Sequence, residues 1–180
     1  GLPKDETGNR WCDAIRLCSE LGLRPIELLY LSVRRDPSTR DFHWWCSYCK
    51  RSGGGATAPR RLEPLALIDQ NGGLQEWDLL NRWLTGAITL PPLESGNGAA
   101  ECLKTYLNRQ KAWVQLKTVM AAAGERLVPY SFRHSYSLRC HQRGIDREGS
   151  WAMTIEPEWV QRRMMVERNV SFDSVAASIE

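Results

Sequence analysis

The chain has 180 residues, 42% hydrophobic and 25% charged, with a formal net charge of +3 and a pI near 8.6. These values fit one soluble globular domain with room for a proper core, and they exclude a low-complexity chain. No apolar run reaches the length of a membrane span and no secretory signal pattern opens the sequence, so membrane and secreted classes are set aside. The mild basic excess is compatible with nucleic acid without requiring it. Six cysteines in a chain of this size are expected as reduced thiols in a cytoplasmic setting. Opening on Gly1 fits a processed chain or a piece of a longer one.

Residues 1–10 read as a polar lead-in. Trp11, Ala14, Ile15, Cys18 and Leu21 follow helical spacing, and Gly22 closes that helix. In GLRPIELLYL, Pro25 suits the first position of a second helix, with Ile26, Leu29 and Tyr30 as its buried side. Arg24 then stands at a helix entrance beside unpaired backbone donors, where an arginine is usually paired or holding an anion.

From Val33 the period changes to two. Phe42, Trp44, Cys46 and Tyr48 share one face of a strand, and His43, Trp45, Ser47 and Cys49 the other. Lys50 to Gly55 is a turn, and 60–67 is the returning strand of a hairpin. The triple glycine lacks the P-loop pattern and reads as a hairpin tip. Cys46 and Cys49 form a C-x2-C, but i and i+3 of a strand point to opposite faces and no second pair follows, so no metal site is expected.

Leu74 to Leu84 reads as a helix with Leu74, Trp77, Leu80 and Leu84 inward, ending at Gly86. Residues 87–99 make a surface loop. Ala100 to Ala123 reads as one long helix with Leu103, Tyr106, Leu107, Trp113, Val114 and Met120 at core spacing. Val128 to Gly144, VPYSFRHSYSLRCHQRG, is a loop feeding a basic helix, with Ser131 as N-cap and Gly144 as the stop. Arg133 falls in its first turn, where backbone donors and the helix dipole already favour an anion. After Met153 the apolar spacing is poor; one short helix from Pro157 to Glu167 and a polar tail are expected.

An arginine at a helix entrance, a lysine on a hairpin tip and an arginine in a first helical turn can converge on one phosphate and offset the charge of a phosphoryl transition state. Their order and text resemble the tyrosine recombinases (phage integrases). LGLRPIELLYL is similar to that family's first arginine box, FHWWCSYCKRSGGGATAPRRLEPL to the hairpin carrying its lysine, and VPYSFRHSYSLRCHQRGI to its second box. The resemblance implies an α+β fold, mainly helical with a small antiparallel hairpin or sheet, on the plan of the DNA breaking-rejoining catalytic core. Residues 11–153 would form that domain and 154–180 a divergent tail.

It further implies that Arg24 and Arg133 grip the scissile phosphate, that Lys50 protonates the leaving 5′-oxygen, and that Tyr130 occupies a position usually held by histidine. Arg51, Arg60, Arg61, His134, Arg139 and Arg143 are the expected DNA contacts. The implied partner is double-stranded DNA, with self-association on it compatible, and no metal or small-molecule cofactor is called for. Two departures stand out. SWAM is followed by Thr154 and Ile155 where the family has a Gly-His, with Trp151 or Trp159 as stand-ins, and no tyrosine follows Tyr136. The family's nucleophile is a C-terminal tyrosine, so strand cleavage is expected to be impaired and a non-catalytic DNA-binding module on the same scaffold is the alternative. A third reading makes the arginines ordinary internal ion pairs.

Overall fold

The computed structural model describes residues 6–50, 58–68, 72–75, 77–93 and 98–143. Arg51, most of the glycine turn, Gly144, Trp151, Trp159 and the helix expected from Pro157 lie outside them. The described part is α+β: five α-helices, one 3₁₀ helix, and short antiparallel strands.

Helix α1 (Glu6–Leu21) buries Trp11, Ala14, Ile15, Leu17, Cys18 and Leu21. It ends as its sequence predicts, with Gly22 at φ 62° and Leu23 N–H returning to the Cys18 carbonyl at 3.2 Å. Gly22 is also a point of close approach: a Cβ there would stand 2.3 Å from the Tyr136 ring. Residues Pro25–Tyr30 follow as a 3₁₀ helix. Its tighter winding inverts the expected face, because Glu27 and Leu28 are buried while Leu29 and Tyr30 are exposed.

Strands β1 (Leu31–Arg35), β2 (Phe42–Cys46) and β3 (Arg60–Leu62) form an antiparallel sheet in that order. Trp44 and Cys46 face the core as expected, and Trp44 meets Trp83 edge-on at 5.3 Å. The returning strand is shorter than its sequence suggests. Pro64 lacks an N–H to continue a ladder. The chain instead runs beside α1, where Leu65 N–H donates to the Glu20 carbonyl at 2.9 Å. Leu67–Ile68 (β4) then pairs with Leu74–Gln75 (β5), closed by Gly72 at φ 81°.

That second hairpin overturns the helix expected from Leu74. The glycine pair at 72–73 acts as a turn, Leu74 is 62% exposed, and α2 covers only Leu79–Leu84. The long helix is likewise two, α3 (Gly98–Leu107) and α4 (Lys111–Ala122). Leu107 and Trp113 are six residues apart, a step that puts them on different sides of a continuous helix. The break at Asn108–Gln110 re-aims the second segment, so Trp113, Leu116 and Met120 are buried and Val114 is left outside.

Helix α5 (Ser131–Gln142) packs across α1 and carries Arg133 in its first turn. Ser131 opens the helix rather than preceding it, and its hydroxyl accepts from Val128 N–H at 3.1 Å. The aromatics of α3 and α4 serve the core: Tyr106 stacks on Trp11 at 4.8 Å and Trp113 lies 5.5 Å from Phe132.

Candidate functional site

Three arginines from three separate elements surround one carboxylate. Arg24 precedes the 3₁₀ helix, Arg133 sits on α5, and Arg60 reaches in from β3, where its pairing with Cys46 turns it toward the core face. The carboxylate is Glu27, which is fully buried. Its Oε1 accepts from Arg24 NH1 at 3.0 Å and from Arg60 NH2 at 2.9 Å. Its Oε2 accepts from the Arg24 backbone N–H at 2.8 Å and from Arg133 NH1 at 3.4 Å. Arg133 NH1 also donates to the Gly22 carbonyl at 2.6 Å, which ties the cluster to the α1 turn.

Local sequence explains the placement. A Glu three residues beyond a helix entrance folds back onto the entrance N–H, the reciprocal half of a capping box, and Pro25 presets the first turn. Burial would raise the Glu27 carboxyl, but the charges of Arg133 and Arg60, with the Arg24 N–H and guanidinium, more than offset this and hold it below its ordinary value. Burial pulls Arg133 down and Arg24 adds to that, while Glu27 opposes it; an arginine nonetheless stays charged.

Three guanidiniums against one carboxylate leave a formal charge of +2 in these four side chains. The side chain of Arg133 is 2% exposed, whereas those of Arg24 and Arg60 are 15% and 11% exposed. Arg24 and Arg60 therefore form the solvent edge, and Arg133 stands behind them. Such an arrangement suits an oxyanion with several acceptor oxygens, because guanidinium forks donate charge-assisted hydrogen bonds in pairs.

The structure thus brings Arg24 and Arg133 together, as the sequence led us to expect, and adds Arg60, expected only as a DNA contact. Tyr130 lies beside them, its ring 6.0 Å from the Arg24 guanidinium carbon and 4.7 Å from the His134 ring. Lys50 is half-buried, four residues beyond Cys46. Arg61 is exposed and donates to Glu63 at 2.9 Å, and Arg143 is exposed with NH2 3.2 Å from the Ala66 carbonyl.

Arg139 departs from its expected role at the DNA. It is buried, donating to the Ser135 hydroxyl and the Ser19 carbonyl, and so ties α5 to α1. Tyr136 is buried too, its hydroxyl donating to the Glu63 carbonyl at 2.7 Å, and burial pushes that hydroxyl far above its ordinary value. Glu27 is the residue that reading the sequence missed. The signal was present as Arg-Pro-x-Glu, a helix entrance with Glu at its third position.

Among the described residues no group of three or more His, Cys, Asp or Glu is placed to hold a metal ion, and no helix is long and apolar enough to cross a membrane. No family model, curated protein or solved structure matches this chain.

Proposed function

We propose that this chain is a tyrosine-recombinase-like catalytic domain that binds duplex DNA and holds a backbone phosphate at the Arg24–Arg60–Arg133 cluster. The observation that carries the reading is the charge imbalance. A purely structural ion pair needs one guanidinium for a buried carboxylate, and surplus buried cations are costly unless an anion joins them. Here Glu27 fixes three arginines and leaves room in their donor capacity for phosphate oxygens. Arg24 and Arg60 meet the phosphate at the solvent edge, and Arg133 strengthens the field from behind.

Lys50, four residues beyond the end of β2, stands where the resemblance puts the family's proton donor, and with Arg61 and Arg143 it is a proposed flanking contact. Binding without covalent attachment is the activity proposed for these 180 residues. Tyr136 is unsuited to attack because its hydroxyl is buried and engaged, and no tyrosine follows it in the sequence.

The test is a fluorescence-anisotropy titration of a labelled duplex with the wild-type chain, Arg24→Ala and Arg24→Ala/Arg133→Ala, each sample also run on a denaturing gel. Saturable binding weakened stepwise by the substitutions, with no adduct, is expected. Equal binding by all three proteins, with unfolding midpoints lowered, would leave the arginines as internal ion pairs. A covalent adduct would show that a tyrosine of this chain does attack DNA.

A further inference from the structure

The loop from Val128 to Tyr130 joins the arginine cluster to a second cationic feature. At one end Tyr130 faces Arg24. At the other, Val128 and Pro129 form the lip of a cavity of about 200 Å³ between α3, α4 and the turn after α4. Lys104, Lys117 and Arg126 line it, with Glu125 as its acidic side chain and buried Trp113 as its floor. That floor is braced by Phe132, the residue before Arg133.

The three cations are not equally engaged. Lys104 is held by Glu101 at 3.0 Å, and Lys117 donates to the Asn108 side-chain oxygen at 3.2 Å, a neutral partner. Arg126 is exposed and makes no hydrogen bond or ion pair among the described residues. A cavity this small is below the usual size for an organic ligand. It suits a compact anion, and an arginine beside a lysine offers one a bidentate fork and a second positive charge.

We propose that this cavity takes a second phosphate of the same duplex, held by Arg126 and Lys117. The proposal rests on the DNA-binding reading. Four residues separate Arg126 from Tyr130, so their Cα atoms are at most about 14 Å apart. The axial rise is about 3.4 Å per nucleotide and the phosphates also wind around the axis, so that span covers fewer than about four steps along one strand. The cavity and the arginine cluster are thus close enough for one bound duplex to meet both. Glu125 opposes the phosphate and limits its affinity there.

The test measures duplex affinity across a salt series for the wild-type chain, Arg126→Ala/Lys117→Ala, Glu125→Gln and, as a charge control on α4 outside the cavity, Lys111→Ala. Arg126 and Lys117 are both exposed, which spares the core. The double variant is expected to bind roughly tenfold more weakly at about 0.1 M salt, with the slope of log K against log salt reduced by about 0.9, one phosphate contact. Glu125→Gln is expected to bind more tightly, a direction that misfolding does not produce. Wild-type binding with an unchanged slope in the double variant would overturn this inference and leave the arginine cluster standing. Absence of DNA binding by the wild-type chain at low salt would overturn both.

Discussion

Replacing Glu27 by glutamine probes the centre of the site with the least change of shape. The carboxylate accepts four hydrogen bonds, from the Arg24 N–H at 2.8 Å and from Arg24, Arg60 and Arg133 at 3.0, 2.9 and 3.4 Å. Glutamine keeps one acceptor oxygen and turns an NH2 donor toward guanidiniums that are themselves donors. Breaking a buried charge pair from one side costs about 3–5 kcal/mol, because the partners stay buried without compensation. For a domain of this size each kcal/mol lowers Tm by about 2–4 °C, so Glu27→Gln should unfold roughly 6–20 °C below the wild type. Differential scanning calorimetry reads this directly. A second expectation separates an anion site from a plain ion pair: inorganic phosphate should raise the Tm of Glu27→Gln more than that of the wild type, since the cluster has gained a full unit of positive charge. A Tm loss under about 2 °C would mean that Glu27 does not hold the arginines together, and equal phosphate effects on the two proteins would mean that the cluster binds no anion.

Acid should weaken the fold through the same residue. The Glu27 carboxyl is held below its ordinary value near 4.5, so its contribution is complete above that value and is lost as pH falls through the depressed folded one; Tm against pH should fall more steeply on the acid side for the wild type than for Glu27→Gln. Gly22→Ala combines a positive φ with a Cβ placed 2.3 Å from the Tyr136 ring, and urea unfolding should show a loss of about 2–4 kcal/mol. Tyr136→Phe removes the hydroxyl's bonds to the Glu63 carbonyl and the Cys140 thiol, with an expected cost of about 1–2 kcal/mol and unchanged DNA affinity. A change in DNA affinity there would mean that the hydroxyl acts at the DNA after all.

Much of the frame is legible in the sequence because single residues dictate it. Gly22 ends α1 where a left-handed residue is required, the period-two run around Trp44 makes the central strand, and Ser131 begins the helix that carries Arg133. What stays hidden depends on tertiary choices. Pro25 marks a helix start but not whether that helix is α or 3₁₀, and the difference moves Glu27 from an unremarked surface position to the middle of the site. Arg60 and Arg61 are neighbours of one type, and only the register of β3 against β2, Cys46 opposite Arg60 and Trp45 opposite Arg61, decides which points inward. Arg139 has the look of a solvated basic helix residue until α1 is packed against it. The six-residue step between Leu107 and Trp113 was readable as a helix break, since it does not fit the helical period.

Whether a phosphate sits on the cluster is tested by the salt dependence of duplex binding for the wild-type chain beside Arg24→Lys/Arg60→Lys and Arg24→Ala/Arg60→Ala. If a phosphate sits on the solvent edge of the cluster, the wild-type plot of log K against log salt is steep. The lysine pair keeps the charge but loses the forked donors, so it should keep most of the slope and bind more weakly. The alanine pair should lose about one phosphate contact, roughly 0.9 in slope. Identical slopes and affinities for all three folded proteins would show that no phosphate binds there, and Glu27 would then be no more than the anchor of an internal ion-pair network.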